Sequence, residues 1–357
     1  MAVFFGKHKI SKTKIINSKE NRNTLRNFLT LRNGQKLFKE HRDIDSNDMR
    51  KLLHYYDTSG VTNMESMFEW CRSLTTIPLL DTSKVTNMKK MFYSCDRLTG
   101  IPKFDTFNVT NMSKMFANCD SLKTIPLLDT HNVTDMSFMT AVCTQLNNFP
   151  ALDTSNVVNM ESMFYGCNSL NTIPSLNTAN VWKMKSMFQD CTNLTTIPLL
   201  DTSKVVDMYW MFAQCSSLVE IPLLNTSNVT YMGYMFQDCT NLKSVPLLET
   251  SHVRIMKCMF YNCTALLEIP AFDCRNVMDF DEMLESCRSV TAIHMKNIHS
   301  DLNIAYCPSM SREAVVEVLN NLLTVTSTKT LTMGPMLLAK LTDEDKAIAT
   351  SKGWALK

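Results

Sequence analysis

Glycine is scarce, eight in 357 residues, and neither G-x-x-x-x-G-K-[ST] nor G-x-G-x-x-G occurs among them, which excludes the two commonest phosphate-cradling loops. No apolar run approaches the length of a membrane span, so no membrane insertion is expected. The start, MAVFFGKHK, falls far short of a secretory leader, so no Sec export is expected. Close pairs of metal ligands are missing too: Cys258 and Cys263 are the nearest cysteines, with only a lone His252 nearby. The seven histidines, His8, His41, His54, His131, His252, His294 and His299, show no repeated partnership with Ser or Cys that would supply a base to a nucleophile. These absences lead to the expectation of no catalytic residues, no metal and no cofactor.

What is present is a period. Cys71, Cys95, Cys119, Cys143, Cys167, Cys191, Cys215, Cys239, Cys263 and Cys287 stand 24 residues apart without an insertion, and CRSLTTIPLLDTSKV at 71–85 returns as CTNLTTIPLLDTSKV at 191–205. Ten repeats start at Val61, Val85, Val109, Val133, Val157, Val181, Val205, Val229, Val253 and Val277. Apolar residues hold positions 1, 4, 7, 8, 11, 14, 17 and 20, while the places between drift. A spacing near three fits neither a long strand nor a sustained helix. It predicts a turning coil with two short extended pieces, around V-T-N-M and L-T-T-I, separated by a turn of helix over M-E-S-M-F and closed by a D-T-S-N turn. The proline at 78, 102, 126, 150, 174, 198, 222, 246 and 270 bars a helix at that point.

Eight buried side chains cannot offset the ordering of 24 backbones, so the units must stack as a solenoid. Repeat four supports a shared interior, because Thr140 replaces the usual Phe while Phe149 replaces the usual Ile or Val. The cysteine and methionine columns are read as core, the thiols reduced. The acidic column from Asp81 to Asn297 is read as turn capping rather than a calcium ladder.

The repeat V-T-N-M-x-x-M-F-x-x-C-x-x-L-T-x-I-P-x-L-D-T-S-N, with N-M-E-S-M-F-Y-G-C at 159–167 as a close instance, resembles the BspA-like leucine-rich-repeat family of bacterial surface proteins, also found in phage-encoded proteins of gut Bacteroidetes. The resemblance covers about two thirds of the chain. It implies a parallel solenoid, a role in adhesion or protein binding, and no catalytic residues. The expected fold is an α/β repeat protein, a leucine-rich-repeat-like parallel solenoid of ten 24-residue coils with N- and C-terminal caps.

Residues 1–60 carry 13 Lys and Arg against 6 Asp and Glu, the repeats at 61–300 carry 17 against 22, and residues 301–357 carry 6 against 6. The basic segment is expected to be a cap or docking module, with a strand in KHKISKTKII and helices over NRNTLRNFLTL and NDMRKLLHYY. Aromatics and glycines are not interleaved with its charges as nucleic-acid binding would require, so no nucleic acid is expected. Repeat ten decays at Phe280, Leu284, Val290 and His294. Beyond it, SREAVVEVLNNLL reads as a Ser-capped helix, TKTLTM as a strand and LTDEDKAIATSKGW as a helix from Thr342 to near Gly353; this α/β tail resembles, over a short stretch, the ends of repeat proteins from gut Bacteroidetes and their phages. Trp182, Tyr209, Trp210, Tyr231, Tyr234 and Tyr261 gather in variable places of repeats six to nine and are the candidate binding residues, for a protein or a surface glycan, the alternative being that they cover neighbouring coils or an intersubunit contact. Unpaired cysteines and the expected lack of Sec export suggest a phage virion protein, a tail or head appendage docked through residues 1–60. A bacterial cell-surface adhesin and a structural scaffold are the alternatives.

Overall fold

A computed structural model of the protein describes residues 58–357 and the backbone of residues 2–5 and 8–11. The expected N-terminal helices, over residues 21–31 and 47–56, lie outside the described residues. The chain forms two compact units, Met1–Asn159 and Met160–Lys357.

In the first unit, strands β1 (Ala2–Phe5) and β2 (His8–Ser11) pair antiparallel, Ala2 opposite Ser11 and Phe5 opposite His8. The extended backbone expected in KHKISKTKII is therefore present over its first residues. The repeats then stack in strict 24-residue register, through parallel bridges that run Asn63 to Asn87 to Asn111 to Asp135 to Asn159. Alternate amides of each coil donate to carbonyls of the next: Met64 N–H to Asn87 at 2.9 Å, Ser66 to Lys89 at 2.9 Å, Phe68 to Met91 at 2.8 Å and Trp70 to Tyr93 at 2.7 Å. The intervening amides close overlapping turns within the coil, Met67 to Met64, Glu69 to Ser66 and Cys71 to Phe68.

This pattern corrects the helical turn expected over M-E-S-M-F. A helix would use the same amides inside the coil, leaving none for its neighbour. The chain instead turns left-handed at positions six and ten, Ser66 at φ 58° and Trp70 at φ 67°, then Lys90, Ser94, Lys114, Asn118, Phe138 and Val142 in the same places. Non-glycine residues pay a steric cost there, offset by the inter-coil bonds that the path makes possible.

Side chains complete the ladder. The Thr82, Thr106 and Thr130 hydroxyls, all buried, donate to the carbonyls of Asp105, Asp129 and Asp153 at 2.7 Å. The preceding carboxylates cap the turn: Asp81 Oδ1 accepts from the Ser83 N–H at 3.1 Å, and Asp153 Oδ1 from Ser155 at 2.9 Å. Asn108 and Asn132 Nδ2 donate back to the Ser83 and Phe107 carbonyls. The acidic column is thus engaged in turn capping. Inside, Phe68, Phe92 and Phe116 stack with centroids 5.4 and 5.8 Å apart. Thr140 and Phe149, the exchanged pair, are both buried.

The second unit repeats these features. Bridges run Lys183 to Asp207 to Tyr231 to Ile255 to Asp279, and Phe164, Phe188, Phe212, Phe236 and Phe260 stack at 5.6–5.7 Å. Every cysteine from Cys71 to Cys307 is buried and free of disulfides. The second extended piece of the coil is visible as β3 (Glu268–Ile269) and β4 (Ala292–Ile293), paired in parallel.

Past the repeats, β5 (Leu302–Asn303), β6 (Lys329–Thr332) and β7 (Trp354–Leu356) form a three-stranded parallel sheet in the order β5-β6-β7. Helix α1 (Arg312–Asn321) is capped by Ser311, as expected. A five-residue helix α2 (Gly334–Leu338) and strands β5 and β7 were not expected from the sequence. Helix α3 (Asp343–Thr350) opens on a capping box between Thr342 and Asp345, and the chain reverses after it at Gly353 with φ 89°. Arg312 joins α1 to α3 through two bonds to Asp345 at 2.7 and 2.8 Å.

Candidate functional site

Position three of each coil forms the bridge between neighbours and position two precedes it; in coils one to four they carry Thr and Asn or Asp, while coil five already holds Val158 at position two, 37% exposed. These side chains serve the ladder itself. Thr86 and Thr110 hydroxyls donate to the Thr62 and Thr86 carbonyls at 3.2 Å. Asn63, Asn87, Asn111 and Asp135 accept the amide two residues on, at 2.9–3.0 Å.

From coil six, which starts at Val181, to coil ten, which starts at Val277, each coil lacks at least one member of this pair, while from coil eight on the position-two backbone bonds persist. Thr230 N–H still donates to Val206, Arg254 to Thr230 and Met278 to Arg254, each at 2.9 Å. Position two now holds Trp182, Val206, Thr230, Arg254 and Met278, and position three Lys183, Asp207, Tyr231, Ile255 and Asp279. Trp182 is 49% exposed, Val206 46%, Tyr231 39% and Met278 69%. Large apolar groups thus face solvent where the ladder asks only for a small polar one, and nothing in coil stacking requires them.

Beside them, at positions five and six, Tyr209, Trp210 and Tyr234 form one cluster. Tyr209 meets Trp210 edge-on with centroids 4.7 Å apart; Tyr234 lies 5.4 Å from Tyr209 and 5.2 Å from Trp210. Gly233 makes this packing possible, since a Cβ there would stand 2.5 Å from the Tyr209 ring. The Lys185 ammonium lies 5.1 Å from the Trp210 centroid and 5.7 Å from that of Tyr209, and Lys183 lies 4.5 Å from that of Trp182. Burial pushes the Tyr209 and Tyr234 phenols above their usual value.

Three of the six aromatics singled out from the sequence, in coils seven and eight, are therefore in mutual contact, and Trp182 and Tyr231 stand at ladder positions of coils six and eight. Tyr261 stands at position nine, where the charge of Glu285 pushes its phenol up. Sequence reasoning missed Val206, Ile255 and Met278, and the lysines seated on the rings. The available signal was the loss of the Thr–Asn pair. It also missed a second exposed column, at position 19, where Leu79, Leu127, Leu199, Leu223 and Leu247 are 55–68% exposed.

The charge of the face changes along it. Lys257 pairs with Asp281 at 2.6 Å, a carboxylate that holds its ammonium well above the usual range. Past Lys257, a cleft of about 540 Å³ is lined by Met278, Asp279, Asp281, Glu282, Glu285, Asp301, Tyr306 and Lys329 among others. Cys258 Sγ donates toward Glu282 at 3.4 Å, and burial pushes its thiol up to about 12. No grouping of three His, Cys, Asp or Glu suited to a metal occurs among the described residues. Among those residues, no helix is long and apolar enough to cross a membrane.

Among solved structures, the chain is similar to a leucine-rich repeat protein from Bacteroides ovatus, at 17% identity over 83% of this chain and 88% of that one, with a TM-score of 0.37. It is also similar to a leucine rich cell surface protein from Faecalibacterium prausnitzii, at 17% identity over 73% and 82%, with a TM-score of 0.38. An internalin from Listeria monocytogenes matches at 16% identity over 78% and 75%, with a TM-score of 0.28. No curated protein matches the sequence. The family described as "Mycoplasma protein of unknown function, DUF285" matches residues 32–149, 121–222 and 192–297. Those matches run through the BspA-like repeats and take in well over half of the sequence, and the chain belongs to that family.

Proposed function

We propose that the protein is a non-catalytic recognition protein: a solenoid of ten 24-residue coils, capped by residues 1–60 and 301–357, that binds a protein partner through coils six to ten. One observation carries this reading, the substitution of one or both members of the Thr–Asn pair by exposed Trp182, Val206, Tyr231 and Met278 on a face whose parallel bridges run on from Lys183 to Asp279. A fixed ladder presenting variable side chains at regular spacing is a surface that loses little entropy on binding. A protein partner fits the half-buried cluster better than a sugar does, because the Tyr209 and Trp210 rings are already engaged by each other and by Lys185. Catalysis by the cysteines is disfavoured by burial, which keeps thiols such as Cys119 and Cys215 protonated.

The resemblance to BspA-like surface repeats supports the outside of a bacterial cell as its place. No residue of the fold singles out a virion tail or head appendage, and the adhesin reading is the one retained. The test is a photo-crosslinking residue placed at Met278 in one preparation and at Thr86 in another, presented to intact cells. Adducts with one protein from Met278 alone are the expected result; equal labelling from both sites, or labelling from neither, overturns the reading. Protease shaving of intact producing cells tests the location, which fails if the repeats stay protected until lysis.

A further inference from the structure

The recognition face has a direction. At coil six the ammonium groups of Lys183 and Lys185 rest on the Trp182, Tyr209 and Trp210 rings. Asp207 also stands at this end, but its carboxylate is turned onto the Tyr209 amide at 2.8 Å, and Glu161 lies one coil beyond. The middle, coils seven to nine, is aromatic and aliphatic except for the exposed Arg254 at position two of coil nine, one step from the acidic end. At coil ten the cleft gathers five carboxylates, with Lys257 and Lys329 the cations near them. Two of the five are occupied by backbone, Asp279 by the Asp281 amide and Asp301 by the Thr330 amide, and one oxygen of Glu282 accepts from the Cys258 thiol, which leaves Glu285 and the other Glu282 oxygen beside the Lys257–Asp281 pair.

Resting on the protein-binding reading, we infer that this face takes one extended protein segment of matching polarity: a carboxylate side chain over Lys183 and Lys185, apolar side chains across the aromatic cluster, and an ammonium or guanidinium group in the coil-ten cleft. The dimensions agree. Coil six to coil ten is four steps of about 5 Å, or roughly 20 Å, and an extended chain covers that in about six residues. Aligned in this sense each end meets opposite charge, whereas the reversed sense places like charges together at both ends, so the arrangement selects direction as well as composition.

The experiment is selection from a random twelve-residue displayed peptide library against the full chain, followed by binding of synthetic copies of enriched peptides. Expected are peptides with an acidic and a basic residue about four to six places apart around apolar ones. Lys183→Glu with Lys185→Glu should weaken the synthetic peptide about tenfold or more, and changing the peptide's acid to lysine should restore it. Enriched peptides that lose binding on Trp182→Ala but ignore the double charge reversal would overturn the polarity while leaving protein binding in place. No enriched peptide, together with retention of a glycan on an array, would overturn both.

Discussion

Raising the pH through the thiol range of an unfolded chain is expected to unfold the coils. Cys95, Cys119, Cys191, Cys215, Cys239 and Cys263 are wholly buried, and each S–H donates to the phenylalanine carbonyl of the preceding coil at 3.0–3.1 Å. Burial pushes all six thiols well above their usual value, with neighbouring thiols of the column adding to the rise. The folded state therefore keeps its protons in a range where the unfolded chain, with thiols near pH 8.5, gives them up. Above that pH the unfolded state binds fewer protons, so stability is fully present below about pH 8.5 and falls as pH rises. Each thiol contributes a slope of about 1.4 kcal/mol per pH unit, and six together about 8 kcal/mol per unit, comparable with the roughly 5–15 kcal/mol of a whole domain.

Circular dichroism under reducing conditions, from pH 7 to 11, should show cooperative loss of structure between about pH 9 and 10.5. Tyrosine and lysine also titrate there, so the discriminating variant is Cys119→Ala with Cys215→Ala. At neutral pH it is less stable, having lost packing and two S–H bonds. Its stability should nonetheless decline less steeply, by about 2.7 kcal/mol per pH unit. An unchanged slope, or native dichroism persisting at pH 11 in the parent chain, would refute the reasoning.

Three further outcomes are expected. Gln214 is exposed with φ 63°, so Gln214→Gly should be neutral or stabilising by up to about 1 kcal/mol, as relief of left-handed strain outweighs the entropy of glycine; a drop of several degrees in Tm would count against the coil path. Gly353→Ala should destabilise by about 1–3 kcal/mol, since φ is 89° and the new Cβ would stand 2.9 Å from the Val325 carbonyl oxygen; thermal unfolding reads it. Asp345, held below the usual carboxylate range chiefly by its bonds to Arg312, contributes stability that is present above about pH 4 and lost as pH falls through its lowered folded value; hydrogen exchange in α1 and α3 should rise with acid in the parent chain and much less so in Asp345→Asn.

The core was legible because one constraint is repeated: a side chain facing inward at position 1, 4, 7, 8, 11, 14, 17 or 20 meets its own copy 24 residues on, so Val, Met, Phe, Cys and Leu recur in columns. The turn at D-T-S-N was legible for the same reason, its Asp capping its own turn and its Thr and Asn each bonding a neighbouring coil. The left-handed residues at positions six and ten were not, because in the coils from Val61 to Val277 only Gly166 among them is a glycine. Their conformation is imposed by the next coil's carbonyls rather than by local preference, and no single-repeat pattern records it. Helices α1 and α3 announced themselves through Ser311 and Thr342, whereas β5 and β7 are too short to carry a period and depend on β6 between them.

The candidate site was half visible for a related reason. Aromatic residues stand out by type, so Tyr209, Trp210 and Tyr234 were found; Val206, Ile255 and Met278 did not, since an aliphatic residue in a repeat protein is ordinarily core. What distinguishes them is their place, a position where the Thr–Asn pair otherwise serves the ladder. In a periodic chain a break inside a core column needs compensation nearby, as Thr140 and Phe149 illustrate. A break at an outward position leaves the backbone ladder in place, as the amide bonds of Thr230, Arg254 and Met278 show. Six successive breaks of the outward kind, from Val158 in coil five to Met278 in coil ten, therefore concentrate on one face the side chains that folding leaves free, and any binding specificity of the chain has its material there.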